Sequence, residues 1–190
     1  GCGQCAAACP TGAASYAFPS SDALLRKLRT LLSTYADAGG KHAVVMFHDA
    51  EHGGGLIDAL ARHGDGLPAN VLPVEVNEIT QVGLEAVAAA IAYGASAVRF
   101  LARGKPRHDI AGLYKTVALA EPILTGLGFN GARVAIIETD DPDALGDTLD
   151  HATLARRIAP LEHHANLSAG RLHPLLHLDE LDLELLHLLL

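Results

Sequence analysis

The sequence predicts an α/β domain built on a small parallel sheet with helices on both faces. Three observations predict it. Four short apolar runs lie near residues 45, 74, 99 and 136, stretches of helical periodicity separate them, and Gly, Asn or Pro marks most changeovers. Strands covered on both faces read as continuous apolar runs rather than alternating ones, and alternation with helices is the pattern of a parallel sheet.

Each element has its own signal. Residues 16–21 read as a loop in which Ser20 or Ser21 caps a helix, with Asp22 in the first turn. Leu24, Leu25, Leu28, Leu31, Leu32 and Tyr35 then recur at helical spacing until Gly39-Gly40. Residues 42–47 are a Val-rich strand, and 55–63 a helix closed by Gly64. Residues 71–76 form a second strand, which Pro73 assigns to a sheet edge or a bulge. An Ala-rich helix over 83–93 stops at Gly94, and 97–102 is the third strand. Residues 110–127 are a long helix that Pro122 should kink, ended by Gly128 and Asn130-Gly131. The fourth strand is 134–138, and Asp141-Pro142 opens a helix running to about residue 158. The right-handed crossover rule makes this a small flavodoxin-like layout, without fixing strand order. Three regions follow: 1–19, an α/β domain over 20–160, and a tail over 161–190.

Composition sets the functional bounds. The 190 residues are 49% hydrophobic and 19% charged, which excludes wholesale disorder. Fourteen Lys and Arg against 22 Asp and Glu give a net charge of −8. With no basic stripe, nucleic acid and anionic membrane surfaces are poor partners. Aromatic residues are 4% with no Trp, so base-stacking platforms are scarce too. No apolar run reaches the roughly 20 residues that span a bilayer, and there is no secretory signal, so the expectation is a cytoplasmic protein without membrane insertion. The chain starts without Met, inside a motif, and is expected to be part of a longer polypeptide.

All three cysteines, Cys2, Cys5 and Cys9, fall in the first nine residues. A secreted disulfide framework would spread an even number along the chain. C-x2-C-x3-C instead points several thiolates at one small volume, as a soft metal centre needs. Small residues (Gly3, Ala6, Ala7, Ala8) let the backbone approach, and loop N–H groups can donate to sulfur. Half a zinc knuckle, incidental reduced thiols and a C-x2-C redox switch are the other readings, the last weakened because no strand precedes Cys2.

The run C-G-Q-C-A-A-A-C-P-T-G-A resembles the bacterial ferredoxin family, whose pattern is C-x2-C-x2-C-x3-C-P. Cys2, Cys5 and Cys9 match its second, third and fourth cysteines and Pro10 its proline; the first would lie two residues before Gly1. The resemblance implies a 4Fe-4S cluster, with Cys2 and Cys5 serving one cluster and Cys9 another, and weak or incomplete occupancy when this stretch stands alone.

Beyond that run, the loops after the four strands are where an open parallel sheet binds ligands. The first reads His48-Asp49-Ala50-Glu51-His52 before Gly53-Gly54-Gly55. His48, Asp49, Glu51 and His52 could take a divalent metal, and the glycines could present helix N–H groups to an anion; a solvated loop with a glycine hinge is the plainer reading. Neither G-x-G-x-x-G nor a P-loop is present. The basic loop Arg103, Lys105, Arg107, His108 suits a phosphate or an acidic partner, or simply solvent. No nucleophilic catalytic constellation can be built.

Residues 41–139 also resemble the delta subunit of methyl-viologen-reducing hydrogenase, through residues 70–78 and the helix–strand stretch 83–101 with its Tyr93-Gly94-Ala95. That family's cysteine positions fall near 48–52, 74–76 and 103–109, and none is cysteine here. Ferredoxin cysteines joined to such a domain are similar to the iron–sulfur proteins associated with formate dehydrogenase. The tail places leucine on nearly every helical face, while Leu181-Asp182-Leu183-Glu184-Leu185 alternates with period two. It packs on the domain, or it meets a partner or a second copy.

The resulting expectation is an iron–sulfur electron-transfer component of a cytoplasmic redox complex, passing single electrons between a dehydrogenase- or hydrogenase-type partner protein and an acceptor. The alternatives are a non-catalytic scaffold or maturation protein acting through the α/β domain, and a flavin- or nucleotide-binding domain.

Overall fold

A computed structural model describes residues 3–9 and 11–150. Four parallel strands, β1 (Val44–Asp49), β2 (Val71–Val76), β3 (Ala97–Ala102) and β4 (Val134–Glu138), lie in the order β2-β1-β3-β4. The register is continuous: Val44 faces Val71 on one side and Ala97 on the other, and Val98 faces Val134. The expected α/β class with a four-stranded parallel sheet is the observed one.

Alternation along the strands divides the core into two. Val45, Phe47, Val98 and Phe100 face α2 (Ser21–Asp37), α4 (Leu84–Ala92) and α5 (Ala111–Gly126), meeting Leu28, Leu32, Val87 and Leu113. Phe47 and Phe100 stack with ring centroids 5.5 Å apart. Val44, Met46, Leu101 and Ile137 face the other way, onto Leu56 and Leu60 of α3 (Gly53–His63) and Leu145 and Leu149 of α6 (Pro142–Leu149). The faces follow from handedness. The chain steps from β1 to β2 in one direction and from β2 to β3 in the other, so right-handed crossovers put α3 and α4 on opposite sides. The connections therefore diverge after β1 and β3, and a crevice opens there.

Local chemistry sets the element ends. Ser20 caps α2, its side chain accepting the Ala23 N–H at 3.3 Å. The Ala38–Gly40 turn that follows needs Gly39 at φ +83. The first strand starts and ends two residues later than expected, because His42 sits at φ +54 while His48 and Asp49 continue the ladder opposite Glu75 and Val76. The next helix begins at Gly53, not Gly55, since the Asp49 carboxylate accepts from the His52 and Gly53 N–H groups at 2.5 and 3.3 Å. Pro73 lies on the outer strand β2, and the one-to-one pairing contains no bulge. The fifth helix runs through Pro122 to Gly126. The sixth ends at Leu149 with Asp150 extended; the rest of its expected span, the leucine-rich tail, Cys2 and Pro10 lie outside the described residues.

A charged side chain is buried within β3. Arg99 of β3 is buried, and its Nη1 donates to the carbonyls of Val98 and Arg133 at 2.9 Å. It closes the seam between β3 and β4. Among the described residues no helix is long and apolar enough to cross a membrane.

Candidate functional site

Three loops and the cysteine segment meet at the carboxyl end of the sheet. The segment enters through a single helical turn, α1 (Gln4–Ala7), which packs on the 3-10 turn Ile79–Gln81 following β2. Gly3 makes this contact possible. It adopts φ +77, and a Cβ there would sit 2.5 Å from the Gln81 Cβ. The Gln4 amide donates to the Asp109 carbonyl, tying the segment to the loop after β3 as well. Glu78 and Gln81 form a reciprocal capping box that fixes the turn. None of this docking was legible in the sequence, because Gln4, Gln81 and Asp109 carry no motif.

Cys5 is exposed and Cys9 half-buried, and both are free thiols. Around Cys9 the chain curls so that the Ala14 N–H points at its sulfur at 3.4 Å and the Thr11 hydroxyl lies 3.6 Å away. These donors hold the thiol well below its ordinary range, down to about 7, the Ala14 N–H contributing most. A thiolate is thus available at neutral pH, which is the form that binds metal or attacks electrophiles. Beneath the segment, Glu85 in the first turn of α4 is half-buried, and burial raises its carboxyl pKa.

The four residues of the first strand-end loop are divided among separate tasks. Asp49 caps α3. His48 is buried, its Nδ1 3.0 Å from the Asp49 carbonyl, and Gly53 packs against it so closely that a Cβ would lie 2.5 Å from the His48 Cβ. His52 turns toward the loop after β4, where its Nε2 lies 3.0 Å from Asp140 Oδ1. Glu51 reaches the basic loop, 2.8 Å from Arg107 Nη1 and 3.6 Å from Arg103 Nη2. The sequence suggested His48, Asp49, Glu51 and His52 as one divalent metal set, but their side chains diverge. Among the described residues no group of three or more His, Cys, Asp or Glu side chains is arranged to hold a metal ion.

Asp140 is the connecting residue that sequence reasoning missed. Its Oδ1 also accepts the Gly104 N–H at 3.2 Å, so one carboxylate joins the loops after β1, β3 and β4. Between the first three loops and the start of α2 lies a cleft of about 640 Å³. Its position at the β1/β3 divergence is the one expected for a ligand in an open parallel sheet. No protein-family model matches the chain, and no curated protein matches it.

Proposed function

We propose that this chain is the iron–sulfur part of an electron-transfer component, with Cys2, Cys5 and Cys9 supplying cluster ligands and the α/β domain as the body that presents them to redox partners. The observation that carries the reading is the environment of Cys9, where a backbone N–H and a hydroxyl converge on one sulfur and hold it as thiolate near pH 7. Donors of this kind stabilise cluster-bound thiolates and tune cluster potentials. The free state of Cys5 and Cys9 and the small residues between them suit the same role. A bound 4Fe-4S cluster would supply reversible one-electron transfer.

Three cysteines leave at least one position of a four-thiolate cluster to be filled from outside this sequence. The chain's own contribution is placement. Gly3 and Gln4 fasten the segment to the loops after β2 and β3, so a partner recognising that end of the domain would meet the thiols in a fixed position. The net charge of −8 favours a basic partner patch and an encounter weakened by salt.

The test is electron paramagnetic resonance on the gene product isolated anaerobically from its own cells and reduced with dithionite. An iron–sulfur signal that disappears in a Cys5→Ser/Cys9→Ser double variant supports the proposal. Absence of iron and of any such signal removes it.

A further inference from the structure

We infer that the cleft at the β1/β3 divergence binds a phosphorylated planar heterocycle of mononucleotide size, its phosphate taken by Arg103 and Arg107 in place of Glu51. The cleft's volume, about 640 Å³, falls within the range of small-molecule sites, roughly 300–1,000 Å³. Its walls sort by chemistry. Leu24, Val76, Ile79 and Ile110 form an apolar floor, and Phe18 stands at the rim. Phe18 is 81% exposed, the largest exposure among the described large apolar side chains, in a chain with only four Phe and four Tyr. An unburied ring beside an apolar cleft suits stacking on a flat ligand.

The cationic end lies on the β3 side, where the side chain of Arg103 is only 23% exposed. Both guanidinium groups now converge on a single Glu51 carboxylate oxygen from the β1 loop, which stands in for an anion. That carboxylate is 67% exposed, and exposed ion pairs of this kind shift an equilibrium by about fivefold at most. A phosphate, carrying more charge and more acceptor oxygens, displaces it readily. On the β2 side Asn77 and Glu78 also line the cleft, the Asn77 amide donating to the Tyr16 hydroxyl and the Glu78 carboxylate accepting the Gln81 N–H, so neither group is counted on for the ligand. This inference stands apart from the cysteine reading, although the turn that carries the cysteine segment contributes Ile79 and Thr80 to the cleft.

The test is titration of the full chain with FMN and with AMP, alongside riboflavin, adenosine and inorganic phosphate, by calorimetry. At least one nucleotide should bind at least about tenfold more tightly than its phosphate-free counterpart and than inorganic phosphate, and which one binds tells a flavin site from an adenine site. Arg103→Gln and Arg107→Gln, each checked for native circular dichroism, should weaken it by about tenfold or more, the usual worth of a hydrogen bond to a charged group. Glu51→Gln should tighten it by up to about fivefold. Cys5→Ser/Cys9→Ser should leave it unchanged, which separates the site from the metal proposal. The inference is overturned if neither nucleotide binds wild type or Glu51→Gln below about 1 mM, the weak end of specific affinity. Equal binding of the phosphate-free ligands, equal binding of inorganic phosphate, or indifference to the arginine variants overturns it too.

Discussion

Removing Asp140 probes how the carboxyl end of the sheet is held. In Asp140→Ala, the Nε2 of His52 loses its partner at 3.0 Å and the Gly104 N–H loses its acceptor at 3.2 Å. The two losses differ in cost. His52 is 9% exposed and its Nδ1 is already buried without a hydrogen-bond partner, so the ring would keep no described acceptor or donor for either nitrogen. Stranding such a group costs about 1–3 kcal/mol. Asp140 itself is 60% exposed, so water enters from its side and brings the figure to the lower half of that range, about 1–2 kcal/mol. Gly104 is exposed, and water replaces the lost acceptor at almost no cost. At about 2–4 °C per kcal/mol for a chain of this size, the midpoint should fall by about 2–8 °C. Asp140→Asn keeps a carbonyl acceptor and should lose no more than about half of this. Thermal melts followed by circular dichroism at neutral pH provide the assay. If Asp140→Ala melted within about 1 °C of wild type, the claim that one carboxylate fastens three loops would be refuted.

Further expectations follow from single residues. Alkylation of Cys9 by iodoacetamide, read by peptide mass spectrometry, should show a pH midpoint near 7 and move upward in Thr11→Val, which loses the hydroxyl donor. Glu85→Gln should stabilise the domain at neutral pH. The folded carboxyl has a raised pKa, so its contribution is full at low pH and lost as pH rises through that value; the advantage of the variant should therefore vanish in acid, which chemical denaturation at several pH values checks. Gly3→Ala should release the cysteine segment without touching the sheet, because the new Cβ meets Gln81 and φ is positive. Limited proteolysis should then cut ahead of residue 20 sooner, with the melting temperature unchanged. Leu28→Ala, at a fully buried site beneath the sheet, should cost about 2–5 kcal/mol in urea denaturation.

What the sequence revealed depended on how local the physics was. The bounds of β2, β3 and β4 follow from short apolar runs, and those expectations matched residue for residue. The first strand slipped by two positions because His48 and Asp49 are polar yet hydrogen-bonded into the ladder, a pairing supplied by Glu75 and Val76. The third helix began early because the cap came from Asp49 rather than from the glycine run. Strand order needs contacts between distant segments and could not be read from periodicity. At the site, the strand-end loops were identifiable from topology alone. Where their side chains point was not: His48, Asp49, Glu51 and His52 are neighbours in sequence, yet their partners come from residues as far off as Arg107 and Asp140. Phe18 and Lys27 reach the cleft from a segment that precedes the first strand and carries no ligand motif.

The most direct test is metal analysis of the anaerobically isolated gene product, with iron and acid-labile sulfide quantified beside zinc. Iron and sulfide in equal amounts, both falling when Cys5 and Cys9 become serine, is the result this account predicts. Zinc in place of iron, or thiols that carry no metal in any preparation, would contradict it.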